Sequence, residues 1–287
     1  MKLATYRIDN AIRIGRWDGV SERLHPLLLA EGSPATDLLA LIRGEATREC
    51  DESHALADVE LLAPIPLPAR NIFCVGKNYR NHAREFSQSG FDASHGAGDG
   101  IPEYPIIFTK TPQTVIAHGA TVWSAEGVTD ALDYEAELAV IIGQGGRGIS
   151  KANAAAHVWG YTIVNDVTAR DWQKRHGQWD LGKSFDTFCP MGPFAVSADE
   201  IDGGNLDLSC WINGELRQHA NTRDLIFDIP TLIETISAGI TLYPGDIIAT
   251  GTPEGVGIGF TPPKFLRTGD VMRIEIEGIG RLENRIA

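Results

Sequence analysis

Apolar and polar positions alternate near the start of this chain, in MKLATYRI and AIRIGRW, the spacing of half-buried strands. MKLATYRI and AIRIGRW read as a short hairpin, and DLLALIRG after them as a turn or two of helix. The segment LLAPIPLPARN, residues 61–71, cannot be helical inside, because each proline fixes φ and removes a donor. A boundary is placed there, giving a small N-terminal α/β unit over 1–68 and a larger unit over 69–287. NIFCVGKNY then reads as a strand entering a loop, and RNHAREFSQSG as a short polar helix. FDASHGAGDG reads as a mobile loop rich in Gly, Asp and Ser.

From PIIFTK onward strands dominate: PIIFTK, TVIAHG, ELAVII, HVWGYTIVND, GPFAVS, LDLSCWING, DIIATG and VMRIEIEG, many bounded by P-G-D, N-G or T-G-D turns. Two segments in this stretch have a helical pattern, SKANAAAHVW and DIPTLIETISAG, the second with Pro230 near its start and Gly239 at its end. The predicted class is α+β and β-rich, with no internal repeat.

Composition narrows the partners. A formal net charge of -13 over 287 residues argues against nucleic acid or an anionic membrane surface. It leaves room for a small anionic substrate, since one metal ion or a few placed cations reverse the sign locally. Cys50, Cys74, Cys189 and Cys210 are scattered and read as reduced thiols. No apolar run approaches 18 residues and MKLATYRIDN has no h-region, so a soluble, cytoplasmic protein is expected.

The stretch DYEAELAVIIGQGGRG makes two offers. Gly143, Gly145 and Gly148 spell G-x-G-x-x-G after an apolar run, and Asp166 follows about 20 residues later, where a dinucleotide site places its acid. Against this, Glu135 and Glu137 stand where a buried first strand should be apolar, and no strand–helix alternation follows. The glycines are read as a mobile turn between a strand and a helix. Asp133, Glu135 and Glu137 share one face of a strand, and YTIVND delivers Asp166 to the end of another. The alternative for the first three is a solvated face of an edge strand. Carboxylates from neighbouring strands suit Mg²⁺ or Mn²⁺, which prefer hard oxygen ligands. His82 and Glu85 form H-x-x-E, at a spacing that lets the carboxylate orient the imidazole, although an exposed polar turn has the same spacing. Lys183, in LGKSFD, reads by default as a surface lysine.

In order along the chain, VGKNYRNHAREF, PIIFTKTPQTVI, DYEAELAVIIG, GYTIVNDVTARDWQ, GKSFDTFCPMGP, NGELRQ and YPGDIIATGTPEGVG resemble the fumarylacetoacetate hydrolase superfamily, from Asn71 to the end. The resemblance implies a mixed β-roll catalytic core, a small lead domain and a homodimer. It implies one divalent cation, Mg²⁺ or Mn²⁺, held by Glu135, Glu137 and Asp166, with no ligand role for Asp133. It makes His82 and Glu85 a catalytic dyad in a segment, residues 80–100, that closes over substrate. Lys183 and Gln173 would surround the reacting oxygen and Thr252 would touch substrate. Arg170 would lie beside the substrate and, with Asp171, support the ligands.

The reaction expected first is hydrolysis of a C–C bond in a 2,4-dioxo acid, such as maleylpyruvate or fumarylpyruvate, to pyruvate and a carboxylic acid. The alternatives on the same metal–enolate site are oxaloacetate decarboxylation, 2-hydroxyhepta-2,4-diene-1,7-dioate isomerisation and cleavage of a 2,4-dioxo-3-deoxy sugar acid. Outside that class stand a nucleotide-dependent oxidoreductase and a non-catalytic metal-binding protein. The side chains lining the distal pocket, sought around residues 94–104, are not legible in the sequence.

Overall fold

The strand segments pair into two main sheets. A computed structural model describes residues 1–92 and 100–287; most of the loop expected to be mobile, and part of the distal-pocket segment, fall on 93–99, outside the described residues. The larger sheet has 12 strands and the smaller five. At the middle of the larger sheet, Ala136–Ile142 lies between Val158–Asn165 and Ile247–Ala249, antiparallel to both. Ile72–Gly76 runs parallel to Ile247–Ala249, and Ile106–Lys110 closes that edge. The smaller sheet packs Asp207–Ile212, Glu215–Asn221, Val271–Ile276 and Gly280–Ile286 together, with Thr121–Val122 at its edge. The β-rich α+β architecture is the one predicted.

Lys2–Ile8, Ala11–Asp18 and Arg23–Leu29 form an antiparallel meander, with the helix Leu38–Ile42 capped by Asp37. The meander continues the larger sheet, because Lys2 and Leu3 pair with Val196 and Ala195. Residues 62–71 hold no helix or strand, and Thr5 donates to the Pro64 carbonyl to pin that passage.

Two local expectations change. SKANAAAHVW is not an α-helix: Lys151–His157 is a run of 3₁₀ turns. It docks on the helix Ile229–Ser237 through Lys151 N–H to Glu234, and Ile149, just before it, donates to Ser237. That docking, and the strand beginning at Val158, leave no room for regular α turns. The glycine turn before it is packed: a Cβ on Gly143 would meet Trp159 at 2.9 Å, and one on Gly145 the Leu242 carbonyl at 2.7 Å. These glycines serve close backbone approach.

Candidate active site

Two strands and one backbone bond bring the carboxylates together. Ala136 pairs with Asn165 and Glu137 with Val164, and the Asp166 N–H donates to the Glu135 carbonyl. Glu135 and Glu137 thus project from one end of the central strand toward Asp166 at the end of its neighbour. All three are buried, and one oxygen of each lies within 4.8 Å of the others. The solvated-edge alternative fails, since Ala136–Ile142 is interior to the sheet and buried throughout.

Cations enclose this cluster. Lys183 is buried, and its Nζ donates to Glu135 Oε2 and Asp166 Oδ2, each at 2.7 Å. Lys110, also buried, donates to Asp166 Oδ1 at 2.7 Å, to the Val167 carbonyl and to the carbonyl of Lys183. Arg170 reaches Asp133 through Nε at 2.9 Å and Gln173 through Nη1, and its Nη2 lies 2.6 Å from Glu135. The surface default for Lys183 therefore does not hold, and Lys110 is a member that sequence reasoning missed. Its signal was present: Lys110 shares strand parity with the buried Phe108, so PIIFTK aims a lysine inward.

The charges show what the cluster lacks. Burial works against ionised Glu135, yet Lys183 and then Arg170 bring its pKa down to about 2. Among the described residues Glu137 accepts from the Gly251 N–H at 2.8 Å, and burial, with the charges of Asp166 and Glu135, pushes it well above the usual carboxylate range. Burial lowers the pKa of Lys183, but Asp166 and Glu135 more than offset this and raise it. Asp133, Glu135, Glu137 and Asp166 outnumber Lys110, Arg170 and Lys183 by one. A divalent cation among three buried carboxylate oxygens corrects this deficit and leaves a positive site for an anion. The donor set is the hard one that Mg²⁺ or Mn²⁺ prefers.

Asp133 is not beside these ligands. The strand breaks after it, and it accepts from Tyr134, Gly257 and Ile258 N–H groups besides Arg170. It ties the 255–259 loop to Arg170. Asp171 faces away, accepting from the Thr129 hydroxyl and lying 3.8 Å from Arg175.

The other wall carries the dyad. RNHAREFSQ is a helix, Arg80–Gln88, that buries His82 and Phe86. His82 Nδ1 is 3.1 Å from Glu85 Oε2, and Glu85 Oε1 accepts from the Gly255 N–H at 3.0 Å. Glycine is needed at 259, where a Cβ would fall 1.7 Å from Glu85 Oε1. Thr252 accepts from Gln218, a buried residue of NGELRQ that also binds the Pro253 carbonyl and the Ala136 N–H. A cleft of about 270 Å³ is lined by His82, Glu135, Glu137, Arg170, Gln173, Lys183 and Thr252, with Lys77, Phe86, Phe108 and Trp179 among the rest. Seven of the nine residues assigned to the site thus line one cleft; Asp166 is bound to Lys183 and Glu85 stands against His82.

Comparison with known proteins agrees with this geometry. Residues 71–287 match the family model for the C-terminal region of fumarylacetoacetate (FAA) hydrolase. The chain is 56% identical over 234 residues to an oxaloacetate tautomerase of Bacillus subtilis, covering 81% of this chain and 75% of that one. Its fold is similar to a fumarylacetoacetate hydrolase from Exiguobacterium antarcticum (TM-score 0.82, 38% identity, covering 100% and 99% of the two chains). It is also similar to a 5-carboxymethyl-2-hydroxymuconate delta-isomerase from Mycobacterium smegmatis (TM-score 0.80, 35% identity, covering 100% and 99%). A chain with this match over three quarters of its length and this buried site belongs to the fumarylacetoacetate hydrolase family of enzymes.

Proposed function

We propose that this enzyme catalyses keto–enol proton transfer on a small 2-oxo dicarboxylic acid, with oxaloacetate as the substrate. The observation that carries the reading is a base, His82, and a fixed cation, Lys183, lining one small cleft beside a buried carboxylate triad. The similarity to an oxaloacetate tautomerase supports it. These relatives favour the oxaloacetate and isomerase chemistry expected as alternatives over the C–C hydrolysis expected first, although tautomerisation itself was not among the expected reactions. Hydrolysis, decarboxylation, isomerisation and tautomerisation all pass through a stabilised enolate, so the motifs marking that shared half cannot choose among them.

Glu135, Glu137 and Asp166 would hold the divalent cation, which supplies Lewis-acid polarisation of the 2-oxo group. Glu85 against Nδ1 keeps a proton there and leaves the lone pair of His82 Nε2 to take a proton from C3. An ammonium has three donors, and Lys183 spends two on Glu135 and Asp166; the third meets the enolate oxygen. Its two carboxylate partners hold it in place as a cation. The enolate oxygen takes its proton from water, to which His82 returns the one it removed. Gln173 Oε1 is occupied by Arg170, which leaves its amide N–H groups for substrate.

Four free cysteines, three of them buried, suit a reducing compartment such as the cytoplasm. A homodimer is retained as a proposal, to be tested by sedimentation. The test of function is the decay of enol-oxaloacetate absorbance with Mg²⁺ or Mn²⁺, with pyruvate release followed in parallel. Accelerated decay without pyruvate is expected. Pyruvate from a diketo acid, with enol decay unchanged, would return hydrolysis to first place.

A further inference from the structure

Lys77 lines the cleft and has no place in the mechanism above. Its backbone is left-handed, with φ 55°, a conformation uncommon for a residue with a side chain. The neighbouring residue imposes it. Asn78 is fully buried; its Nδ2 donates to the carbonyls of Phe227 (3.0 Å) and Thr250 (2.7 Å), and its Oδ1 accepts from the Phe227 N–H. The Asn78 carbonyl accepts from the Ile226 N–H as well. Four hydrogen bonds thus pin the turn after Ile72–Gly76, and the unusual φ at Lys77 turns a lysine into the site. Strain held in place this way at a site is a pointer to function.

The cations of the cleft divide in two. Arg170 and Lys183 are each bound to Glu135. Lys77 stands apart from that cluster: it is 3% exposed, its Nζ lies 2.6 Å from Asp92 Oδ2, and it sits 5.4 Å from the ring centroid of Phe86, on the wall that carries His82. A 2-oxo dicarboxylate has one end to place among the carboxylate cluster and a second carboxylate to neutralise. Asp92 already shows that the Lys77 ammonium accommodates a carboxylate, and replacing one carboxylate by another leaves the pair neutral.

We propose that Lys77 is the specificity-determining residue that binds the distal carboxylate of the substrate, in place of Asp92. The proposal rests on the reading that the substrate is a 2-oxo dicarboxylic acid, and it names the residue that selects a diacid over a monoacid.

The test uses two ligands that do not react and differ by the distal carboxylate, L-malate and L-lactate, titrated by calorimetry into the protein with Mg²⁺ present. The wild type should favour malate by roughly tenfold or more, the size of a charge-assisted hydrogen bond. Lys77→Met should weaken malate to the level of lactate and leave lactate unchanged, and Lys77→Arg should restore part of the preference. Retained lactate binding shows that Lys77→Met has folded. In turnover, Lys77→Met should raise KM for oxaloacetate and leave its C4 methyl ester unaffected. A wild type that does not favour malate overturns the proposal. So does a Lys77→Met protein that loses both ligands alike or neither, because Lys77 and Asp92 would then be an internal clasp only. Selective malate binding through Lys77 without turnover of oxaloacetate would sink the proposed reaction and leave the diacid site standing.

Discussion

The two walls of the cleft are built to different standards. On one, Glu135, Asp166, Lys183, Lys110, Arg170 and Asp133 lock one another through a continuous set of buried ion pairs on strand ends and short helices. On the other, among the described residues, His82 is oriented by Glu85 and packs near Phe86, and Glu85 accepts from the N–H of Gly255 in a glycine-rich loop. The first wall is over-determined; the second rests on a few bonds between a helix and a loop. A charge cluster needs that redundancy, because any member left unpaired in the interior is costly. A proton-transferring base needs only orientation and room to reach its substrate.

Substitutions can break or sharpen this contrast. The largest effect is expected for Glu137→Gln, which should reduce metal binding and turnover to background. The metal-free protein should melt no lower, since burial and like charges already disfavour an ionised Glu137 and glutamine keeps an acceptor for the Gly251 N–H. Calorimetry with Mn²⁺ and a thermal melt check both halves. Next, His82→Gln should lower kcat by about 10²–10⁴-fold and leave Mn²⁺ affinity intact. Loss of metal binding in that variant would show that the walls are not separable.

Lys110→Met removes a support behind Asp166 and Lys183. It should cost about 10–100-fold in metal affinity or activity. Destabilisation of about 3–5 kcal/mol should accompany it in denaturant titration, because Asp166 loses a buried partner. Gly259→Ala pushes Glu85 aside, and a roughly tenfold fall in kcat is expected with unchanged metal affinity. A kcat that stays put in Gly259→Ala would argue that Glu85 does not orient His82.

The smallest effect on activity is expected from a control outside both walls. Asp228 caps the helix Ile229–Ser237 through the Thr231 N–H, and Asp228→Ala should cost about 1 kcal/mol with activity unchanged. Burial works to raise the pKa of Asp228, but Thr231 and Lys151 lower it below that of an ordinary aspartate. A depressed folded pKa means stability that is present above the unfolded value, near 3.8, and lost as pH falls through the lower folded value. The difference in melting temperature between wild type and Asp228→Ala should therefore shrink below about pH 4.

The spacing of residues along the chain was enough for the β-rich class, for the two-apart carboxylates and for Asp166 at a strand end, whereas His82 and Glu85 became a dyad only through the resemblance to a known family. The first three follow from the period of a strand, a local property that a sequence carries openly. Tertiary structure decided the rest. Whether Lys183 lies on the surface or is buried against Asp166 depends on strands far away in sequence. The same holds for Asp133, which a broken strand turns toward residues 257 and 258, and for Asp171, drawn off by Thr129. SKANAAAHVW carries a helical pattern and lies instead in 3₁₀ turns, because a distant helix and the strand after it set its path. Burial and ion pairing are non-local, and they alone separate a solvated row of acids from a site that needs a cation.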